Sequence, residues 1–146
     1  MTTMTQATIM TTLVQTVLQP TPRCVASARD AVHEALERIG LERMADDASL
    51  LTSELVTNGV RHAGTTLSLR AEFDGRRVRV ELEDRELRPP QQRAREQHEP
   101  GGLGLTIIDV IASRWGYESV DDRGKVVWFE LDAHRGKLPH GDPGSN

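Results

Sequence analysis

Hydrophobic residues recur at helical spacing in the first half of the chain and predict two helices. The first helix begins after Thr21, which suits an N-cap and is followed by a proline, and it stops at Gly40. The second is predicted over about residues 45–62, with Asp46 or Asp47 in its first turn. The apolar positions are Val25, Ala28, Val32, Ala35, Leu36 and Ile39 in the first helix, and Ala48, Leu51, Leu55 and Val56 in the second.

Strict alternation of apolar and charged residues predicts a β-hairpin in the middle of the chain. Residues 67–73 and 78–84 alternate with period two, and Asp74-Gly75 between them is a strong hairpin-turn signal. One face of this pair is apolar and the other is charged. We therefore expect an antiparallel pair with one face on the core and the other in water.

Shorter patterns complete the architecture. A first strand is predicted at residues 13–18, a third helix from Leu105 to about residue 114, and two closing strands at 115–120 and 125–131. Strand pairs mixed with helices, without strict alternation of the two, are typical of an α+β fold. We expect a two-layer α/β sandwich, with a mostly antiparallel sheet and helices on one face.

The length of the chain suits one compact domain. With 146 residues it can bury a core of its own, and we expect the folded part at 11–132 with disordered tails at 1–10 and 133–146. Aromatic residues make up only 3% of the chain, so the core must be mainly aliphatic. Trp115 and Trp128 are expected to fill part of it.

Charge and hydropathy limit which classes of partner and which cellular compartment are expected. The net charge of -4 argues against a protein that coats nucleic acid, and no stretch approaches the roughly 18 apolar residues of a membrane span. The N-terminus lacks the basic region of a signal peptide, and Cys24 is the only cysteine. These features indicate a cytoplasmic protein with no direct nucleic-acid or membrane partner.

Glu54 and Asn58 are the first candidates for chemistry. They lie four residues apart on the second helix and so point the same way. The carboxylate can accept a proton or orient a hydroxyl, and the amide oxygen can bind Mg²⁺. Such a pair is also common on solvated helix faces. His62, one turn further on, is either a hydrogen-bonding partner of this site or an ordinary histidine at a helix C-terminus.

Asp84 is the second candidate, at the end of a predicted strand. A carboxylate in that place can accept a hydrogen bond from an amino group such as the exocyclic amine of adenine. An ordinary turn-initiating aspartate is the alternative.

A glycine pair before the third helix is the third candidate. Gly102 and Gly104, followed by Leu105, would let the backbone approach a phosphate at a helix N-terminus, although a plain loop-to-helix junction is a rival. The chain contains no P-loop motif and no dinucleotide fingerprint. The charged, proline-containing loop at 85–101 precedes this pair and is either a phosphate lid or a solvated loop.

The order of these features is more specific than any one of them. Residues 53–63 carry Glu-x-x-x-Asn on a helix, residues 80–84 end a hairpin in Asp, residues 102–105 read Gly-Leu-Gly-Leu, and residues 124–131 form a closing strand. This order resembles the GHKL ATPase superfamily, which includes gyrase, Hsp90, histidine kinases and MutL. It looks most like the anti-sigma factor and serine-protein kinase branch common in actinobacteria. The resemblance covers roughly residues 13 to 132.

The resemblance implies a Bergerat ATP-binding fold and a set of roles. Asn58 would bind Mg²⁺ that bridges the phosphates of ATP, and Glu54 would be the general base. Asp84 would recognise the adenine amino group, while Gly102 and Gly104, with Leu105 beside them, would form the lid over the phosphates.

The same resemblance implies partners. The acceptor would be a serine or threonine of an anti-anti-sigma protein with a STAS domain, and this antagonist would compete with a sigma factor for the protein. Phosphorylating the antagonist would restore inhibition of the sigma factor. A homodimer is compatible with this branch.

Three positions depart from the family pattern. No glycine follows Asp84 through residues 85–90, Leu103 stands where many relatives carry Arg, and Val126 stands where Thr is frequent. Two hypotheses therefore remain. The protein is either an ATP-dependent serine/threonine kinase that also holds a sigma factor, or a nucleotide-binding regulator that acts by protein binding without catalysis.

Overall fold

A computed structural model describes residues 9–62, 65–85, 103–119 and 124–133 of the chain. The predicted tails, apart from residues 9, 10 and 133, lie outside these residues, and so do Gly102 and most of the 85–101 loop. In chain order, the elements are β1 (Thr11–Leu18), α1 (Pro22–Arg38), α2 (Glu42–His62), β2 (Leu67–Phe73), β3 (Arg77–Asp84), α3 (Leu103–Ile111), β4 (Arg114–Ser119) and β5 (Lys125–Asp132).

The strands form one antiparallel sheet in the order β1-β2-β3-β5-β4. The helices cover one face of it, which we call the inner face. The predicted α+β two-layer fold with a mostly antiparallel sheet is therefore confirmed. Alternate residues of each strand point to the inner face, as period-two side chains must. In β3 these residues are Val78, Val80, Leu82 and Asp84, and all four are buried.

The core between the helices and the inner face is aliphatic, as the composition predicted. Leu36 of α1, Leu51 and Leu55 of α2, and Leu69 of β2 are almost fully shielded from solvent. Phe129 of β5 is the large aromatic side chain buried among them. Burying this much apolar surface stabilises the packing of the two layers.

The helix boundaries follow from burial and from backbone geometry. Gly40 adopts a φ of 80°, which favours glycine and lets the chain leave α1, as predicted. Thr21 precedes α1 but makes no side-chain capping hydrogen bond. The second helix begins at Glu42, one turn earlier than predicted, because Met44 and Ala45 are buried and extend the apolar stripe.

The third helix also differs from its prediction. It begins at Leu103, two residues early, and ends at Ile111. The chain then turns at once into β4, where the backbone N–H of Ser113 donates to the carbonyl of Glu130 at 2.8 Å. The helix stops early because Ser113 is already bonded to the neighbouring strand.

The two edges of the sheet differ in charge. β4, at one edge, carries Arg114 and Glu118. β1, at the other edge, has the sequence TTLVQTVL without a charged residue, and Val17 on its outer side is 63% exposed.

The opposite, outer face of the sheet carries an ion-pair cluster centred on Glu130. Its carboxylate accepts hydrogen bonds of 2.8 Å from Arg79 and from Arg114, and Arg77 lies 3.8 Å away. Burial would raise the pKa of Glu130, but the hydrogen bonds from Arg114 and Arg79 outweigh this and hold the pKa below its ordinary value. Arg79 also lies over the ring of Trp128, 4.2 Å from its centroid.

The two tryptophans therefore have different surroundings. Trp115 packs against the core, as predicted. Trp128 was also expected to fill core, and this was wrong: it pairs with Glu81 and lies on the outer face, one residue out of phase with the inward-facing Phe129.

No helix among the described residues is both long and apolar enough to cross a membrane.

Candidate functional site

The C-terminal part of α2 lies unusually close to the sheet because of Gly59. A Cβ atom at this position would lie 2.8 Å from Cδ2 of Leu82 and 3.3 Å from both Cδ atoms of Leu67. A larger side chain would require the side chains of Leu82 and Leu67, or the helix itself, to shift. Gly59 therefore brings the turn of α2 that carries Asn58 against the ends of β2 and β3.

Asp84 is at this same end of the sheet. It is the last residue of β3, faces inward and is 7% exposed. It lies directly opposite Leu67 on one neighbouring strand and Lys125 on the other. Because Leu67 contacts Gly59, the carboxylate is close in the fold to the C-terminal turns of α2.

Gly124 packs against the backbone of Asp84. It has a φ of 122°, and a Cβ there would overlap the carbonyl oxygen of Asp84 and lie 2.8 Å from Cα of Arg85. The backbone N–H of Arg85 also donates to the hydroxyl of Thr65 at 3.1 Å. These contacts fix the end of β3 between β5 and the segment that follows α2.

Glu54, Asn58 and His62 form one stripe along α2. They are spaced by four residues, and all three are half-buried, beside the fully buried Leu51 and Leu55. The predicted arrangement of a polar stripe at the rim of the core is thus present. His62 is the last residue of α2, a place where a histidine can interact favourably with the helix dipole.

The third helix supplies the remaining predicted residues. Gly104 and Leu105 lie in its first turn, and Gly102 lies just outside the described residues. Ile108 is fully buried and seats this helix on the core. The first backbone N–H groups of any α-helix have no partner within the helix, so this turn can offer donors to an anion.

Two residues around Asp84 were not given a role by the sequence reasoning. Lys125 faces inward beside Asp84, and Gly59 sets the distance between α2 and the sheet. The position of Lys125 beside Asp84 follows only from the strand register, because the two residues are 41 positions apart in the chain. Gly59 directly follows the Glu-x-x-x-Asn motif within α2, and a glycine within a helix is a sequence signal of close packing.

The strand register also shows whether the valine at position 126, where Thr is frequent in the family, affects the candidate site. Val126 pairs with Glu83, and both belong to the outer face. A threonine at this position would point away from α2 and from Asp84. Its replacement by valine therefore removes no hydroxyl from the candidate site.

The donor set is suited to Mg²⁺ held partly by a phosphate ligand. Among the residues that the structure describes, no group of three or more His, Cys, Asp or Glu side chains could hold a metal by itself. Mg²⁺ commonly uses one or two protein oxygens and completes its coordination with phosphate and water. The amide oxygen of Asn58 fits that pattern.

Comparison with known families identifies the domain. A family model described as "Histidine kinase-like ATPase domain" matches residues 18–131. The chain belongs to this family. The match includes α2, the end of β3 and α3, so the site described above lies within the ATPase domain.

A solved structure has the same fold. The ATPase domain is similar to the histidine kinase domain from the Erythrobacter litoralis EL346 blue-light activated histidine kinase, with a TM-score of 0.52 and 17% identity. The alignment covers 77% of this chain and only 62% of that one. No curated protein matches the ATPase domain.

Proposed function

We propose that this ATPase domain binds ATP with Mg²⁺ and phosphorylates a serine or threonine of an anti-anti-sigma protein with a STAS domain. The observation that carries the proposal is the position of Glu54. It is half-buried on the same stripe of α2 as Asn58, and Gly59 holds that part of the helix against the end of β3. Family membership supports the ATP part of the proposal.

Asn58 and Asp84 bind the nucleotide in this proposal. Asn58 would hold Mg²⁺ through its amide oxygen, and the bound ion would supply positive charge beside the phosphates. Asp84 accepts a hydrogen bond from the amino group of adenine. Its support is its burial on the inner face and its closeness to α2 through Leu67. Gly102, Gly104 and the first turn of α3 complete the phosphate side.

Glu54 takes the proton in the transfer step. The acceptor hydroxyl oxygen forms a bond to the γ-phosphorus, and the bond from that phosphorus to the bridging oxygen breaks. The hydroxyl proton passes to the Glu54 carboxylate, and ADP leaves with the bonding electron pair. A positioned base contributes about 10²–10⁴-fold to such a step.

Partner switching gives the reaction its consequence in this proposal. The unphosphorylated STAS protein and a sigma factor compete for the ATPase domain in the cytoplasm. A phosphoserine or phosphothreonine carries about -1.5 to -2 charge, which would repel an interface that accepts the neutral hydroxyl. Phosphorylation therefore releases the antagonist and allows the domain, alone or as a homodimer, to hold the sigma factor again.

A second candidate function is nucleotide-dependent binding without catalysis. It is motivated by Leu103, where many relatives carry Arg, and by the lack of glycine after Asp84. Both changes fall where a lid would contact phosphate. In this case Glu54 is a structural residue, and regulation comes from protein binding alone.

The first experiment is calorimetric titration with ATP, with and without Mg²⁺. We expect micromolar binding that requires Mg²⁺ and becomes weaker in Asn58→Ala. The matched control is Glu42→Ala, an exposed residue at the other end of the same helix. Failure of the unaltered protein to bind ATP would rule out both the kinase and the nucleotide-dependent regulator.

A second experiment separates the kinase from the binding module. Phosphate transfer to a STAS partner encoded in the same genome should fall about 10²-fold or more in Glu54→Ala, since a positioned base is lost. Binding of ATP and of the partner should persist. If transfer is absent from the unaltered protein while both ligands still bind, the binding-module reading replaces the kinase.

A further inference from the structure

A side-chain hydrogen bond joins the middle of α3 to the first part of β4. The indole N–H of Trp115 donates to Oδ1 of Asp109 at 2.8 Å. The two residues are six apart in sequence, on either side of the sharp turn at Ala112 and Ser113. The helix side of this bond is exposed, while the indole packs against the core.

Apolar side chains hold the rest of α3 on the core. Ile108 is fully buried and Ile111 partly so, whereas Ile107 and Val110 are exposed. Apolar contacts of this kind hold a helix on a surface but are non-directional, so they tolerate small rotations and shifts. A hydrogen bond of good length sets both distance and angle. The Asp109–Trp115 bond therefore fixes the rotation of α3 about its own axis.

At its other end, α3 begins with the glycine turn to which a phosphate role was assigned. In a helix of nine residues, a rotation at Asp109 is transmitted to Leu103 and Gly104 because the backbone hydrogen bonds between them form one rigid unit. A group that sets the orientation of α3 therefore sets where its first N–H groups point.

We propose that Asp109 is a positioning residue for nucleotide binding: through Trp115, it orients α3 so that the first turn of this helix can meet the phosphates. This inference rests on the proposed function, since it presumes that the site takes ATP. Asp109 itself does not touch the nucleotide in this proposal. Asp109 acts by accepting the hydrogen bond from the indole N–H of Trp115, which sets the orientation of α3.

The test compares four variants of the full chain. Asp109→Ala removes the acceptor, and Trp115→Phe removes the donor while keeping most of the ring. Asp109→Asn keeps a side-chain oxygen that can accept the same hydrogen bond. Val110→Ala is the matched control, an exposed neighbour on the same helix.

We expect the affinity for Mg-ATP to fall about tenfold in Asp109→Ala and in Trp115→Phe, as for the loss of one hydrogen bond to a charged group. Asp109→Asn should restore most of the affinity. The combined variant Asp109→Ala with Trp115→Phe should be no weaker than either alone, because both changes remove the same bond. Val110→Ala should bind like the unaltered protein.

Hydrogen exchange without nucleotide distinguishes a local effect on α3 from an effect on the whole fold. Amide exchange should become faster within α3 in Asp109→Ala and stay unchanged in β2 and β3, so that local release of the helix is distinguished from general unfolding. If exchange in β2 and β3 rises equally, Asp109 acts on the whole fold and the positioning role is wrong.

The titrations separate this inference from the proposal beneath it. If the unaltered protein binds Mg-ATP and Asp109→Ala binds it equally well, the positioning role is wrong and the proposed function stands. If the unaltered protein binds no ATP, the proposed function is wrong, and the role of Asp109 in nucleotide binding is overturned with it.

Discussion

The two faces of the sheet are built from the same strands but hold their polar groups in opposite ways. On the outer face, charges pair with one another: Glu130 lies among arginines, and Arg79 covers Trp128. On the inner face, the residues of β3 are apolar until its last position, where Asp84 is buried. Its neighbour directly opposite on β5 is Lys125, which also faces inward.

The comparison indicates that polar groups of the outer face contribute to stability, whereas polar groups of the inner face belong to the candidate site. Ion pairs on the outer face satisfy each other and need no ligand. Polar groups at the inner rim, Glu54 and Asn58 on α2 and Asp84 on β3, are gathered by the close approach at Gly59. Variants that separate the two faces test this division.

The largest effect is expected from neighbouring residues of β5 that face opposite ways. Phe129→Ala should lower the free energy of unfolding by about 3–5 kcal/mol, because it leaves a cavity in the core. Trp128→Ala should cost about 1–2 kcal/mol, since it loses partial burial and the contact with Arg79. Urea unfolding followed by far-ultraviolet circular dichroism measures both without relying on tryptophan fluorescence.

Equal costs for these two variants would contradict the division between the faces. Phe129→Leu is the milder control if the alanine variant does not fold. It should cost less than about 1.5 kcal/mol because it nearly keeps the volume.

A smaller effect is expected from the ion-pair cluster. Glu130→Gln should lower the free energy of unfolding by about 2 kcal/mol, since two charge-assisted hydrogen bonds are weakened at a buried position. ATP affinity should stay unchanged because this side chain is on the face away from α2. The control is Glu72→Gln, whose pair with the exposed Arg70 should contribute about 0–1 kcal/mol. A loss of ATP affinity in Glu130→Gln would show that the outer face serves the site after all.

The smallest effect is the pH dependence of the same cluster. The pKa of Glu130 is lower in the folded protein than its ordinary value of 4.5, so folding is favoured by the charged form. The contribution is fully present above pH 4.5 and is lost as the pH falls through the lower folded pKa. Urea unfolding across this range should show the difference in the free energy of unfolding between the unaltered protein and Glu130→Gln shrinking as acid is added. A gap that stays constant to the lowest pH would contradict the lowered pKa.

Local patterns predicted most of the fold. The period of two in residues 67–84 predicted the hairpin and its turn at Asp74 and Gly75. Asp74 does accept hydrogen bonds from the N–H groups of Arg76 and Arg77, as a turn aspartate should. The positions of Glu54 and Asn58 followed from helical spacing alone.

What the sequence could not predict depends on distant partners. Arg79 finds Glu130 across 51 positions, and Lys125 meets Asp84 only because β5 lies next to β3. Trp128 was expected to fill core, but its position in β5, one residue out of step with the inward-facing Phe129, places it on the outer face. The early start of α2 came from Met44 and Ala45, whose burial depends on how the helix packs against the rest of the fold.

The uncharged edge strand β1 has a consequence for how the chain reaches this fold. β1 pairs with β2, and Leu18 meets Leu67 after about 50 intervening residues that include both long helices. At a synthesis rate of about 5–20 residues per second, β1 waits on the order of several seconds for its partner. During that time, a β-prone segment without a charge to deter pairing is open to other strands. Newly made chains should therefore be most vulnerable to aggregation before β2 leaves the ribosome.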